Sequence, residues 1–339
     1  MSGDKVLVTG GSGYIGGWCI VRLLNDGYQV HTTIRNLKRE PEVRKALATV
    51  APGAADRLTF FAADLEQDAG WNEAAAGCRY VLHVASPLGT EGRNDAPTMI
   101  RQARDGALRA LKAAKASGVE RVVMTSSVAA VAFDGADGVF DETRWTNLTA
   151  KEVGAYAQSK TLAERAAWDF VASQGDGMTL ATVLPALVVG PVTSGDYSSS
   201  VEAVSRLVYG QIPGVPNLGF CYVDVRDVAD LHVRAMLAPE AAGQRFIAAS
   251  DFMWLSQTAE LLRRELGPAG SKVPTRKLPD WLVRIIALFD RPLQVILHEL
   301  SRKAEFSSAK AQNMLGWRPR SARDAILECA HSLLALKPA

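Results

Sequence analysis

Val6-Leu7-Val8-Thr9-Gly10-Gly11-Ser12-Gly13-Tyr14-Ile15-Gly16 runs from a short apolar β stretch through a turn into the start of a helix. Gly10, Gly13 and Gly16 recur every third position. In a strand–turn–helix setting each has a separate use. The first permits a tight turn, the second lets backbone approach a pyrophosphate, and the third lets helix pack on strand. The free N–H groups of the first helical turn then face the phosphates. Tyr14 and Ile15 sit between the last two glycines and go to the same site. A glycine triplet alone also serves ordinary turns; the strand before it and the helix after it select a dinucleotide cradle.

Outward from this cradle the chain alternates. Residues 29–34, 58–62, 80–85, 121–125 and 178–184 read as apolar strands, and 14–24, 96–117 and 156–171 as helices. Apolar strands separated by helices imply a parallel sheet covered on both faces. The expected fold class is α/β, a Rossmann-type doubly wound parallel sheet, with ligands beyond the carboxyl ends of its strands. After Pro185 the pattern changes. Residues 190–219 are rich in Ser, Gly and Pro, with one helix near 201–209. Residues 221–225 and 245–249 read as strands returning to the first sheet, and 254–336 as mostly helical. The expected division is a dinucleotide-binding domain over 1–190, rejoined by 220–250, and a smaller, mostly helical substrate lobe over 191–219 and 251–339.

Composition excludes several classes. Of 339 residues, 48% are hydrophobic and 22% charged, enough apolar mass to offset the ordering entropy of a disordered chain. A net charge of +2 lacks the basic excess of a nucleic-acid binder. Cys19, Cys78, Cys221 and Cys329 are scattered without disulfide or zinc spacing, and the five histidines show no metal-ligand pattern. The apolar stretch 281–288 is broken by Arg284 and falls far short of the ~20 residues of a membrane span. No leader pattern precedes Val6. The expectation is a soluble cytoplasmic protein without metal, membrane or nucleic-acid partner.

The end of the second strand selects the cofactor. An acidic residue there would favour NAD, but the chain reads Ile34-Arg35-Asn36-Leu37-Lys38-Arg39. Arg35 is placed to stack on adenine and meet a 2′-phosphate, with Arg39 or Lys38 as a second cation. NADP(H) is therefore expected; for Lys38 and Arg39 a solvated basic loop is the alternative. Asp64-Leu65 follows the third strand, either beside the adenine or as a cap. Val84-Ala85-Ser86-Pro87 ends the fourth strand, where small residues let backbone pass under the cofactor.

Tyr156 and Lys160 lie four apart on a helix, so both face one side. A phenol has a pKa of about 10, and a nearby ammonium lowers it toward neutrality, making an acid/base for carbonyl–alcohol interconversion. Thr125-Ser126-Ser127 ends the fifth strand, beside the cofactor crevice, where a serine hydroxyl can donate to a substrate oxygen. Cradle, strand-end serine and Tyr/Lys pair in this order are unlike a chance coincidence.

With these residues in view, nearly the whole chain resembles the extended short-chain dehydrogenase/reductases, in particular the group of dihydroflavonol 4-reductases, cinnamoyl-CoA reductases and aldehyde (methylglyoxal) reductases. The markers are the stretch from Val8 to Gly16, His83-Val84-Ala85-Ser86-Pro87, the run from Arg121 to Ser127, the run from Tyr156 to Glu164, and Leu184-Pro185-Ala186-Leu187-Val188-Val189-Gly190-Pro191. The resemblance implies Ser127 as catalytic serine, with Ser126 structural, and Tyr156 as proton donor. It implies Lys160 as the residue that bonds the nicotinamide ribose and tunes the tyrosine. Pro185, Leu187 and Val188 would hold the nicotinamide and its carboxamide, and Ser200 would lie near the phosphates. Asp105-Gly106 stands where the group often has Asn-Gly, and Ala132 where the plant flavonoid enzymes have an asparagine; Ala155 precedes Tyr156 where cinnamoyl-CoA reductases have tryptophan. Asp105 is therefore given no catalytic role; Ala132 and a Ser127–Tyr156 interval shorter than in the plant enzymes count against a flavonoid substrate, and Ala155 against cinnamoyl-CoA.

The expected function is an NADPH-dependent carbonyl reductase acting on an aldehyde or ketone, hydrophobic or aromatic, as a monomer or homodimer. The resemblance implies transfer of the pro-S hydride. Two rivals are an NAD-dependent sugar-nucleotide epimerase or dehydratase, against which Arg35 argues, and a non-catalytic NADP(H)-sensing regulator, against which the Tyr156/Lys160 pair argues.

Overall fold

In a computed structural model, which describes residues 3–53, 55–87, 96–151, 153–195, 197–290, 293–294 and 297–336, the alternating pattern becomes a seven-stranded sheet. In chain order the elements of the first half are β1 (Lys5–Thr9), α1 (Tyr14–Asn25), β2 (Gln29–Ile34), α2 (Glu40–Ala48), β3 (Leu58–Ala62), α3 (Trp71–Ala75), β4 (Tyr80–His83), α4 (Ala96–Ala116), β5 (Arg121–Thr125), β6 (Gly138–Phe140), α5 (Ala155–Gln174) and β7 (Thr179–Pro185). They are followed by β8 (Leu187–Val189), α6 (Ser199–Val208), β9 (Gly219–Asp224), α7 (Val225–Leu237), β10 (Gln244–Ala248), β11 (Phe252–Trp254), α8 (Leu255–Glu265), α9 (Asp280–Ile286) and β12 (Ala304–Phe306). Two further helices, Ala309–Leu315 and Ala322–Ala335, close the chain.

The sheet order is β10-β7-β5-β4-β1-β2-β3, and every pairing in it is parallel. Its strands carry apolar side chains on both faces because both faces are covered. One face packs on α1 and α7 through residues such as Ile20, Leu23, Val228 and Leu231. The other packs on α4 and α5 through Ala107, Leu111, Ala163 and Phe170. Small residues along α4 let that helix lie close to α5. The strand order reverses between β1 and β4, and the crevice above their ends is where such sheets take ligands.

Two strand expectations are corrected. Residues 221–225 do not return to the main sheet. β9 pairs with β8 in parallel and β11 in antiparallel, forming a separate three-stranded sheet. The edge position beside β7 is taken by β10. Tyr222 of β9 is claimed by another core, packing with Leu255, Ala259, Leu262 and Cys329. Its last residue, Asp224, caps α7 by accepting from the Arg226 amide, so Val225 begins a helix. The fourth strand also stops early, at His83. The amides of Val84 and Ala85 both donate to the Thr9 hydroxyl, each at 3.0 Å, and so leave the ladder.

The 254–336 region is mostly helical, but β12 runs parallel to β6 as a small outlying ladder. Over 281–300 the first helix ends at Ile286, and residues 291–292 and 295–296 lie outside the described residues. Val283 and Leu300 are buried with Leu218 and Leu278. Trp281, Ile285, Leu288 and Phe289 are exposed. No helix among the described residues is long and apolar enough to cross a membrane.

Candidate active site

The cradle is shaped by two close approaches. Gly10 has φ +72°, and a Cβ there would come within 3.0 Å of the Ala85 backbone. A Cβ on Gly16 would overlap the Gly10 carbonyl oxygen. Both positions require glycine: the first for conformation and space, the second for packing α1 on the turn. Gly13 caps α1 without any side-chain acceptor for the first-turn amides. These amides open on a recess lined by Ser12, Gly13, Arg39, Thr193, Ser194 and Tyr197, among others. Amide donors at a helix start, with a cation at the rim, suit a phosphate group.

Arg35 lies exposed just past β2, as do Asn36, Leu37 and Lys38. Arg39 is bonded to Glu42 through two contacts of 3.1 Å. That exposed i,i+3 pair is weak and gives way to a stronger anion at little cost. Asp64 accepts the Glu66 amide at 3.0 Å, so one carboxylate oxygen closes a turn after β3. Leu65 packs beneath α4: a Cβ on Gly106 would come within 2.7 Å of it. The Asp105-Gly106 pair thus has a packing use in its second residue.

Thr9 organises the end of β4. Its oxygen accepts from the Val84 and Ala85 amides and bonds His83 Nδ1 at 3.0 Å. With both lone pairs occupied, Thr9 donates its proton to that nitrogen, leaving the imidazole neutral. Burial, with help from the Lys160 ammonium, pushes the His83 pKa down to about 4. The next residue but one along this strand end, Ala85, faces Gly10, and Ser86 accepts from Lys160 Nζ at 2.8 Å.

Ser127 caps the short turn Val128–Ala130, its Oγ accepting the Ala129 amide at 3.1 Å. The Tyr156 hydroxyl donates to the same oxygen at 3.5 Å. With two donors on its oxygen, the Ser127 proton is left to give away. The Tyr156–Ser127 separation is wider than the roughly 2.8 Å of a closed hydroxyl bond, and a carbonyl oxygen can accept from both groups. Lys160 Nζ lies 5.9 Å from the centre of the Tyr156 ring.

The expected lowering of the phenol's pKa by Lys160 is not found. Burial raises Tyr156 above its ordinary value, and only the Ser127 bond works against it. The physical reason is direction: the ammonium turns to Ser86, over the ring rather than at the hydroxyl. Burial instead acts on Lys160, bringing it down to about 8 against the pull of Glu164.

Other expected site residues are spread around this centre. The Thr125 hydroxyl bonds His232 Nε2 at 2.7 Å, toward α7, and His232 Nδ1 donates to the Val228 carbonyl. Thr125 therefore offers its backbone rather than its hydroxyl to the crevice. Pro185 is buried at the end of β7, Val188 is buried in β8, and Leu187 between them is half-buried. Ser200 is half-buried in the first turn of α6, which Ser198 caps. Among the described residues the buried Tyr14 hydroxyl has no hydrogen-bond partner. Among the described residues no cluster of three or more His, Cys, Asp or Glu side chains gathers to hold a metal.

Sequence reasoning gave no role to Glu164 and Arg245. They form an ion pair beneath the site, 2.8 Å apart, with Glu164 entirely buried. The i+4 spacing from Lys160 to Glu164 was a readable signal; the approach of Arg245 from β10 was not. Ser126 turns into this pair, donating to Glu164 at 2.6 Å.

Comparison with known proteins gives a consistent set. Residues 6–249 match the family model described as "NAD dependent epimerase/dehydratase family". A cinnamoyl-CoA reductase of Medicago truncatula is 36% identical over 276 residues, covering 79% of this chain and 82% of its own. A dihydroflavonol 4-reductase of Gerbera hybrida is 33% identical over 269 residues, covering 76% and 71%. Among solved structures, the yeast methylglyoxal/isovaleraldehyde reductase Gre2, complexed with NADPH, superposes with a TM-score of 0.81 at 24% identity, covering 98% of each chain.

Proposed function

From the premise that the chain belongs to the NAD dependent epimerase/dehydratase family, with reductases among its relatives in sequence, we propose that it is an NADP-dependent carbonyl reductase. The observation that carries this reading is the Tyr156 hydroxyl 3.5 Å from Ser127 Oγ, one turn from Lys160. Two neutral hydroxyls converge where a substrate oxygen gains negative charge, and one of them has a proton to release.

The residues present fit NADP(H). The turn from Gly10 to Gly16, with its free α1 amides, would hold the pyrophosphate, and Tyr14 and Ile15 would line it. Arg35 and Arg39 would meet the 2′-phosphate, Asp64 and Leu65 the adenine. Val84, Ala85, Ser86 and Thr125 would pass beneath the cofactor by backbone. Pro185, Leu187 and Val188 would border the nicotinamide, with Ser200 near the phosphates. When bound, NADPH supplies the hydride.

This chain's own residues do the rest. Ser127 donates to the carbonyl oxygen and orients it. Tyr156 donates to the same oxygen and gives up its proton as negative charge develops. Lys160, bonded to Ser86 beside the phenol, would reach the nicotinamide ribose rather than tune the phenol itself. The phenol's raised pKa keeps it protonated and ready before reaction. The segment 128–133 and the lobe would supply the wall of the substrate space; of the apolar residues in 128–133, Val128, Val131 and Ala132 are buried in the core and Phe133 is half-buried. A hydrophobic or aromatic aldehyde or ketone suits such a wall.

The test is NADPH oxidation followed at 25 °C with aldehydes, ketones, a diketone and a dihydroflavonol, with NADH in parallel. Turnover of at least one carbonyl is expected; binding of NADPH with no carbonyl reduced sinks the proposal. Two further outcomes are expected. Arg35→Ala should raise the Kd for NADPH by about ten-fold or more and leave NADH nearly unchanged, since only the former presents a 2′-phosphate. The alternative, equal loss for both, would mean Arg35 does not read that phosphate. In pH profiles, Lys160 is the first of the pair to lose its proton as pH rises, because its pKa lies at about 8 and the Tyr156 pKa is raised. Reduction should therefore be level below that value and fall above it.

A further inference from the structure

Glu164 lies one helical turn beyond Lys160 on α5 and is wholly shielded from solvent. A carboxylate so placed must have its lone pairs met by the protein. They are met five times. Oε1 accepts from Thr182 Oγ1 at 2.8 Å, Arg245 Nε at 2.8 Å and Trp168 Nε1 at 3.3 Å. Oε2 accepts from Ser126 Oγ at 2.6 Å and Arg245 Nη2 at 3.2 Å. Stability alone is a weak reason for this arrangement, because apolar side chains of similar volume commonly serve as well as a buried ion pair.

What the network joins is more telling. Ser126 adjoins Ser127. Arg245 also donates to the carbonyls of Glu142 and Arg144, at 2.7 and 2.9 Å, and lies 3.7 Å over the Trp145 ring. In that same loop Thr146 donates to the Ala129 carbonyl at 2.7 Å, behind the turn that Ser127 caps. One carboxylate thus ties together the strand end bearing Ser127, the helix bearing Tyr156 and Lys160, and the loop backing the Ser127 turn.

We propose that Glu164 is a positioning residue of this site: through Ser126 it sets the orientation of Ser127, and its negative charge stabilises the Lys160 ammonium. The inference rests on the reductase reading above. Among the described residues the ionisable groups near Lys160 are few. Tyr156, on its own helix, is a neutral phenol. His83, from the end of β4, is neutral because its pKa is about 4. Arg245, from β10, bonds the same carboxylate. Glu164 is the anion acting on the lysine, opposing the burial that brings it to about 8.

The test separates charge from geometry and uses two readouts. The first is NADPH affinity, from cofactor fluorescence, between pH 6 and 10, which needs no substrate. In the wild type it should weaken as Lys160 loses its proton. In Glu164→Gln the weakening should begin about one pH unit lower, because the anion opposing burial is gone. Since that variant leaves Arg245 buried without its partner, the Glu164→Gln/Arg245→Met double variant is measured beside it and should show the same displacement. The second readout is kcat of Ser126→Ala, which keeps the ion pair. It should fall about ten-fold, as misplacement of a donor does, with the NADPH affinity profile unmoved.

A cooperatively folded Glu164 variant whose affinity profile coincides with the wild type, together with wild-type kcat in Ser126→Ala, overturns the proposal and leaves Glu164 a packing residue. A wild-type protein that binds NADPH but reduces no carbonyl defeats the reductase reading instead, and the affinity profiles still judge the charge of Glu164.

Discussion

Tyr156→Phe is expected to lower kcat for carbonyl reduction by roughly three orders of magnitude, with NADPH affinity within about two-fold of the wild type. The substitution removes one oxygen and leaves the ring, so the packing around Val153 and Ala157 is preserved. Two functions leave with that oxygen. One is a donor to the substrate oxygen, preorganised in a half-buried site where donors act strongly. The other is the proton itself. The Ser127 hydroxyl would remain and would still orient a substrate, which is why residual rather than zero turnover is expected. Ser127 cannot take over the proton donation, since an alcohol is a far weaker acid than a phenol and the groups bonded to its oxygen, the Ala129 amide and the Tyr156 hydroxyl, are donors rather than bases. A stopped-flow single-turnover trace with saturating NADPH measures this directly. Wild-type turnover in Tyr156→Phe would remove the phenol from the mechanism.

Gly16→Ala should act on the other half of the site with an effect nearly as large. A methyl group there meets the Gly10 carbonyl oxygen, part of the backbone, which has no rotamer through which to yield. The turn between β1 and α1 must open or α1 must move off β1. Either change displaces the amides that would cradle the pyrophosphate, and NADPH Kd should rise about a hundred-fold or more, since several charge-assisted bonds are lengthened at once. Isothermal titration reads the change in affinity, and a thermal melt reads the accompanying loss of stability, about 2 kcal/mol for overpacking of this kind. Gly17→Ala serves as the contrast. A Cβ at Gly17 has only ordinary contacts, at 3.7 Å and beyond. An unchanged NADPH Kd in Gly16→Ala would mean that the cradle lies elsewhere.

Much of this architecture can be read from local pattern. β1, β2, β3 and β5 are short apolar runs bounded by turn residues, and their order along the chain dictates a parallel sheet once helices intervene. The glycine spacing and the Tyr156/Lys160 spacing are likewise local. Three things were not legible. β9 looks like its neighbours as a string of apolar residues, and only the occupation of the β7 edge by β10 shows why it joins β8 instead. The Tyr156/Lys160 spacing puts both on one helix face but does not say where the ammonium points; Ser86, 74 positions away, decides that. Arg245 reads as the start of a strand, and its partner Glu164 as the end of the run from Tyr156. Neither reading shows that the two side chains meet, because they lie 81 positions apart in sequence.

That last separation has a consequence for the order in which the protein is made. β10 holds the sheet's edge and is the last of the seven strands to be synthesised. When α5 and β7 have left the ribosome, Glu164 already has Ser126, Thr182 and Trp168 to pack against, but its guanidinium is still unmade. A nascent chain folded to that point would enclose an acid without its counter-charge, which is strongly disfavoured. A chain folded only to that point is therefore expected to stay loose around Glu164 until β10 docks. Long-range pairings of this kind are slow steps in folding. The counter-charge of Glu164 is thus made 81 positions after the carboxylate itself.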